Sequence, residues 1–583
     1  MKTVWGDNLD KNKVLKEYPR PQLVRDSYLS LNGEWDYRIT KLIDKTELFG
    51  KKNIGDLPLS EEAIDGKILV PFSPESELSG VGKQLKGEEL LIYQYIYHPT
   101  KSFNKGKILL HLDAVDSTCA VFINGEKLCE NIGGYWPITV DITKYVKPAT
   151  YINVCVFDEQ DKGYLARGKQ KINNGSIWYT AQSGIWQSVW LESVPVEYID
   201  SIKITPNLDD KSVEIIAYTN DAALDCEISI DNKKYCGKSN QPITIHFNND
   251  EINEWSPDNP YLYYFTIKAG DDCVNSYFAM RKFSAGTDDK GVKRLFLNNK
   301  PYFHNGLLDQ GYWSDGLMTP PSDEAMIYDI EMMKKMGFNM LRKHIKIEPL
   351  RWYYHCDRLG MLVWQDMVCG GNNIQTPEFN GEYVSDKEEN YAQFGRLDKN
   401  IRDCYYTELE NTVKHLYNCP CIAMCVPFNE GWGQFDSLIA TQLVRKLDST
   451  RTIDHASGWH DQGGSDVCSV HVYFRPYEFE TDKNGRAVVL SEFGGYNLSV
   501  EDHLFAGKIF GYREMKSTKD LEEQLIKLYE DEIIPAKQQG LSASVYTQVS
   551  DVEVEVNGLM TYDRKVVKVR PEILRNVIIQ LND

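Results

Sequence analysis

The chain has 583 residues, more than one hydrophobic core can organise, so roughly three or four domains are expected. A formal charge of −20 argues against nucleic-acid binding, which needs clustered Lys and Arg facing phosphate. No run approaches the roughly 18 consecutive apolar residues of a membrane helix, and a hydrophobic content of 42% with 12% aromatics reads as globular and rich in Tyr and Trp.

Residues 1–195 read as all-β, a sandwich of the jelly-roll type. Segments such as KILLHLDAV, CAVFING and YINVCVF carry β-branched and aromatic residues between turn signals, and Asn124-Gly125 predicts a type I′ hairpin. The opening MKTVWGDNLD lacks the apolar stretch of a secretory signal. The 13 scattered cysteines are odd in number, and both features are expected of a reducing, cytoplasmic setting. Tyr164 to Gln187 is long, aromatic and partly basic; it reads more readily as a connection packed on a neighbouring domain than as a sugar-facing loop.

Residues 196–284 carry about seven short strands, the pattern of an immunoglobulin-like sandwich without its Cys-Trp-Cys signature. Residues 285–583 then alternate strand and helix, which predicts a (β/α)₈ TIM barrel. The predicted helices are Asp323 to Met336 with Ser322 as N-cap, PLRWYYHCDRLG, Arg402 to Tyr417, Ser437 to Leu447 and Leu521 to Gln538. The predicted strands include FNMLRKH, MLVWQDM, Cys421 to Phe428, Thr452 to Ala456, Val467 to Val472, Val488 to Leu490 and Ser542 to Tyr546. Cys419, Cys421 and Cys425 are expected to be buried structural thiols.

Two of these segments end in matched chemistry. CIAMCVPFNEGWGQ delivers Asn429 and Glu430 at the C-terminal end of a buried strand, and AVVLSEFGG delivers Glu492, 492 − 430 = 62 residues later. In a barrel such ends meet at one mouth. There they gather Asp309 and Gln310, Arg342 and His344, Trp364 and Asp366, His471 and Tyr473, Trp432 and Tyr546. Two carboxylates, basic and amide donors and aromatic plates describe a carbohydrate pocket, because sugars have apolar faces and hydroxyls that need paired donors and acceptors. One carboxyl would stay protonated as acid/base and the other ionised as nucleophile. Arg342 and Tyr473 are placed to hold Glu492 ionised. Plainer roles stay open for several: Arg342 as a bridge between strands, His344 and His471 as satisfied core histidines, Asp366 as a buried acceptor, Trp432 as packing beneath its loop.

The order of motifs resembles family 2 of the glycoside hydrolases, the β-galactosidases, β-glucuronidases and β-mannosidases. PRPQLVRDSYLSLNGEWDYRI, LDAVDSTCAVFING, GGYWPITVDIT and SGIWQSVWLE resemble its N-terminal parts; FNMLRKH, VPFNEGWGQFD, VVLSEFGG and NGLMTYDRK resemble its barrel. The resemblance implies Glu430 as acid/base, Glu492 as nucleophile, Asn429 on the sugar 2-hydroxyl, and retention through a covalent glycosyl-enzyme. It implies an oligosaccharide or glycoconjugate substrate and leaves homo-oligomerisation open; the metal sites of the large β-galactosidases are not carried over, and no cofactor and no metal are expected. Where the family's glucuronidases carry an Asn-x-Lys pair, this chain reads Glu553-Val554-Glu555-Val556-Asn557, expected to repel a sugar carboxylate. Gln310 departs from the acidic/His motif usual after the first barrel strand. The acidic segment makes a neutral β-linked sugar, β-galactose first, the expected substrate; another family 2 specificity (β-mannosidase, β-glucuronidase or arabinosidase) and a catalytically silent carbohydrate-binding protein are the alternatives.

Overall fold

The computed structural model describes residues 1–42, 45–57, 64–100, 102–221, 223–370 and 383–581. The first sandwich faces a four-stranded sheet against a six-stranded one. In the larger sheet, Thr118–Ile123 and Glu126–Ile132 form a hairpin through Asn124 and Gly125, both at positive φ (51° and 92°), as a type I′ turn requires. Alternating apolar residues from both sheets fill the space between them, with Trp35, Leu91, Val121 and Val154 fully buried. The second sandwich packs a three-stranded sheet on a four-stranded sheet around Ile215, Ile228, Phe265 and Phe278. All thirteen cysteines are free thiols.

The third part is the barrel. Its strands are β1 (His304–Asp309), β2 (Met340–Lys343), β3 (Leu362–Asp366), β4 (Ile422–Val426), β5 (Thr452–Ile453), β6 (Val467–Val472), β7 (Ala487–Gly494) and β8 (Leu541–Thr547). They lie parallel in the order β5-β4-β3-β2-β1-β8-β7-β6. Between β5 and β6, Ile453 N donates to Asp466 Oδ2 at 2.8 Å and Asp466 N to Ile453 O at 3.2 Å. Burial on both faces explains why these segments read as apolar runs without alternation.

Local chemistry sets the helices. Asp323–Lys335 begins after Ser322, whose Oγ accepts from Ala325 N at 3.2 Å; acids occupy its first turn and lysines its last, matching the helix dipole. Ser437–Leu447 coincides with its predicted bounds, and Leu350–Leu359 stops at left-handed Gly360. The helix expected over Leu521 to Gln538 is instead Thr518–Leu528, a π turn over Tyr529–Ile533, and Ile534–Gln539. Pro535 has no N–H to donate, so the α ladder is interrupted one turn before it. The strand expected over Thr452 to Ala456 is ordered as ladder only at Thr452–Ile453.

Both sandwiches are fastened to the barrel. Trp136 Nε1 donates to Glu408 Oε2 at 2.6 Å and Trp255 Nε1 to Asp357 O at 2.7 Å, and one continuous core includes Trp136, Trp186 and Trp255 together with the barrel interior. The sandwiches are fastened to each other by Arg25. It reaches Glu192 in the first at 2.9 Å and Asp272 in the second at 2.9 and 2.7 Å. Breaking a buried pair strands a charge, at a cost of about 3–5 kcal/mol. Arg25→Ala is therefore expected to lower the midpoint of the first thermal transition by several degrees in calorimetry; an unchanged midpoint would show that this pair does not hold the sandwiches together.

Candidate active site

The mouth of the barrel is organised by Arg342, at the end of β2 and fully buried. Its Nε and Nη2 grip the two oxygens of Asp366 at 3.0 and 3.1 Å, and Nη2 also donates to Asn429 Oδ1 at 2.8 Å. Nη1 donates to Ser491 O at 3.1 Å and to Glu492 Oε1 at 3.2 Å. The ends of β2, β3, β4 and β7 are thereby fixed on one guanidinium, whose planar fork suits several acceptors at once.

Glu492 is 4% exposed. Its second oxygen accepts from Tyr473 OH at 2.5 Å, and that hydroxyl also lies 2.9 Å from Thr547 Oγ1 at the end of β8. Burial on its own would raise the Glu492 pKa, but the facing charges of His471 and Arg342 outweigh it and hold the carboxyl well below the usual range. Tyr473 stacks on Tyr512 at 4.0 Å. Behind Glu492, Gly494 sits at φ +82°, and a Cβ there would lie 2.3 Å from Tyr546, so the chain can turn over the Tyr546 ring only with glycine.

Glu430 has a different setting. It stands at φ +50°, a left-handed conformation that costs a non-glycine residue on the order of 1–3 kcal/mol and is typical of functional positions. Its N–H donates to Ser457 O at 2.9 Å, and Oε1 lies 2.8 Å from His471 Nδ1. The same nitrogen is 3.6 Å from Glu492 Oε2, and His471 Nε2 lies 3.1 Å from Ser457 Oγ. Ligand-type atoms of Glu430, His471 and Glu492 all fall within 4.8 Å of one another, so the two carboxylates share one small space. A cation placed among the three would compete with Arg342 and Tyr473 for both Glu492 oxygens.

The structure thus brings together Arg342, His344, Asp366, Asn429, Glu430, His471, Tyr473 and Glu492. His344 Nδ1 lies 2.6 Å from Asp366 Oδ2, and burial keeps its pKa well below the ordinary imidazole value. Three other candidates hold the surroundings. Trp364 donates its ring N–H to His304 at 3.0 Å, and Tyr546 OH accepts from Tyr496 N at 3.1 Å. Asp309 pairs with Lys343 at 2.8 Å. Trp432 is 3% exposed and stacks on Trp178 of the first sandwich, 5.1 Å between ring centroids.

Trp178 belongs to the segment read as a packed connection. It does pack on the barrel: Arg167 N and Gly168 N both donate to Cys369 O, at 3.0 and 2.9 Å. In doing so it lines the mouth with Lys169 and Trp178, which barrel periodicity could not reveal; the mixed aromatic and basic composition of Tyr164 to Gln187 was the available signal. Gln310 also finds partners there. Its amide donates to Gln548, Gln548 to Asn557, and Asn557 to Glu555, at 2.8, 2.7 and 2.9 Å.

A TIM barrel carrying two converging glutamates at its mouth, behind two β-sandwiches, defines a glycoside hydrolase architecture. Family models match as the sugar binding domain of glycosyl hydrolases family 2 (residues 89–195), family 2 itself (197–281) and its TIM barrel domain (290–581). The chain belongs to glycosyl hydrolases family 2. It is 24% identical over 386 residues to a β-galactosidase of Thermoanaerobacter pseudethanolicus, covering 62% of this chain and 47% of that one. It is 21% identical over 542 residues to a β-galactosidase of Priestia megaterium, covering 84% and 49%. The chain spans about half the length of these two curated relatives. Among solved structures, a β-glucuronidase from an uncultured Clostridium superposes with a TM-score of 0.71 at 17% identity, covering 95% of this chain and 98% of that one. A family 2 β-galacturonidase from Eisenbergiella tayi bound to galacturonate gives 0.68 at 18%, covering 96% and 99%. At such identities these superpositions speak for the fold alone. No described helix is long and apolar enough to cross a membrane.

Tyr473→Phe removes one charge-assisted hydrogen bond from Glu492, worth about 1.5–3 kcal/mol. That bond favours the ionised carboxylate, so its loss raises the Glu492 pKa. The acid limb of the kcat/KM–pH profile is expected to move to higher pH, with kcat reduced about 10- to 100-fold; an unmoved limb would separate Tyr473 from the ionisation of Glu492.

Proposed function

We propose that the chain is a retaining exo-β-glycosidase acting by double displacement. The observation that carries this is the approach of Glu430 and Glu492 to within 4.8 Å through their nearest oxygens. Retaining enzymes hold their carboxyls about 5–5.5 Å apart, whereas inverting ones leave about 6.5–9.5 Å for a water molecule. Glu492, ionised and aimed by Arg342 and Tyr473, attacks the anomeric carbon and forms a glycosyl ester. Glu430 gives its proton to the departing oxygen. In the second half Glu430 takes a proton from water, whose oxygen attacks the same carbon and releases Glu492. Asn429, its Oδ1 held by Arg342, is left with its amide N–H₂ to donate to a sugar hydroxyl.

The substrate is a terminal β-linked sugar of an oligosaccharide or glycoconjugate. A β-galactoside is the neutral sugar to test first, since the curated relatives above are named β-galactosidases. The sandwich segment at the mouth adds a cation, Lys169, whose charge reaches Glu492 and bears on this choice.

Glu492→Ala is expected to lower kcat/KM on an activated aryl β-glycoside by on the order of 10⁴-fold or more while the protein still folds. Retained turnover would refute the nucleophile assignment. Glu430→Ala is expected to slow poor leaving groups far more than activated ones, and added azide, released as the β-glycosyl azide, should restore part of the rate on activated substrates. Equal losses for both leaving groups without azide rescue would count against the acid/base role.

A further inference from the structure

Resting on the retaining-glycosidase reading, we infer that Lys169 of the first sandwich reads an anionic substituent on the sugar, so that the preferred substrate is an acidic β-glycoside. The segment carrying Lys169 is seated rigidly. Gly168 lies at φ +64°, and a Cβ there would stand 2.8 Å from Ile345 O, so only glycine allows so close an approach to the barrel. On the other side, Lys169 O accepts from Tyr179 N at 2.9 Å. The side chain, 6% exposed, runs between two aromatic faces, with Nζ 5.4 Å from the Trp432 ring centroid and 5.8 Å from that of Tyr179. Its charge is felt by Glu492, Asp366 and His344.

Among the described residues, no acceptor hydrogen-bonds or ion-pairs with this ammonium. The other buried cations at the mouth are engaged. Arg342 is divided among Asp366, Asn429, Ser491 and Glu492. Lys343 is held by Asp309 and Glu348, and Lys346 by Glu348 and two carbonyls. A buried ammonium without a counter-ion is costly, and the two aromatic faces offset only part of that cost. A substrate anion supplies the rest.

The acidic segment expected to repel such a substrate is occupied by the segment that brings Lys169. Glu553 accepts from Thr180 N at 2.8 Å and from Asn174 Nδ2 at 2.6 Å. Glu555 accepts from Tyr179 OH at 2.5 Å and from Asn557 at 2.9 Å. These carboxylates anchor the sandwich segment that carries Lys169.

Carboxylate and sulfate substituents share this chemistry, and a panel separates them: p-nitrophenyl β-D-glucuronide and β-D-galacturonide, the 6-sulfated β-D-galactoside, and the neutral β-D-glucoside and β-D-galactoside. The wild type is expected to favour one acidic member over its neutral counterpart by at least about tenfold in kcat/KM. Lys169→Met is expected to lower that acidic-to-neutral ratio by about 10- to 100-fold, the value of one charge-assisted hydrogen bond, and Lys169→Arg to restore part of it. A ratio unchanged in Lys169→Met, or a wild type that prefers the neutral sugars, overturns the inference. The 2-deoxy-2-fluoro-β-glycosyl fluorides of the same sugars keep the two readings apart. Labelling of Glu492 without an acidic preference defeats only the role of Lys169. No labelling, with Glu492→Ala as active as wild type, defeats the glycosidase reading beneath it.

Discussion

The guanidinium of Arg342 is the interaction on which the site depends. It is a fully buried charge, and such a charge persists only when its donors are met. Here they are met by groups from three other strands, so satisfying the cation and assembling the site are one event. Asp366 takes two of its donors and keeps the charge in place; Ser491 O, Asn429 and Glu492 take the others, and the last two are oriented by them. The consequence for ionisation follows in sign. The folded-state pKa of Glu492 is depressed, so its carboxylate contributes stability above the ordinary carboxylate range. That contribution is lost only as pH falls through the lowered value. The ionised state of Glu492 and its contribution to local stability therefore persist over the same range of pH.

Two chemically identical side chains are given different work by their surroundings. Glu492 faces Arg342 and Tyr473, which stabilise negative charge. Glu430 receives no guanidinium; its neighbour is His471, which also stands near Glu492. One imidazole thus stands against both carboxylates, 2.8 Å from Glu430 Oε1 and 3.6 Å from Glu492 Oε2. The left-handed backbone at Glu430 belongs to the same design. It lets the strand's last turn swing the side chain toward Glu492 while Asn429, one residue earlier, faces Arg342.

The barrel was legible because its physics is local. Strands buried on both faces must be apolar, helices must be capped, and polar residues at strand ends must meet at one mouth. Ser322, the helix Ser437–Leu447 and the matched endings of β4 and β7 could therefore be read from short windows. What local pattern could not show is which side chains a barrel borrows. Nothing in the spacing of Lys169 or Trp178 connects them to Trp432; only docking of the sandwich does. The same limit explains Glu553 and Glu555. As sequence they are an acidic wall, but folding gives each of them hydrogen-bond donors from residues 174 to 180 or from Asn557, and the sign of the pocket is then set by what remains unpaired.

That division of labour has a physical rationale. Glu430 and Glu492 sit on barrel strands or directly after them, Glu492 locked by the buried Arg342 and Glu430 by Ser457 O and His471. The groups that meet the rest of the substrate can stand on a segment of another domain, provided its seat is rigid. Here the seat is made by two backbone hydrogen bonds to Cys369, a glycine that admits Ile345 O, and carboxylates that clamp the far side. A change in this segment leaves the hydrogen bonds from Arg342 and Tyr473 to Glu492 in place, although the charge of Lys169 also reaches that carboxylate. The same acids that read in the sequence as a barrier to an anionic sugar are, in the fold, the acceptors that hold the segment carrying Lys169.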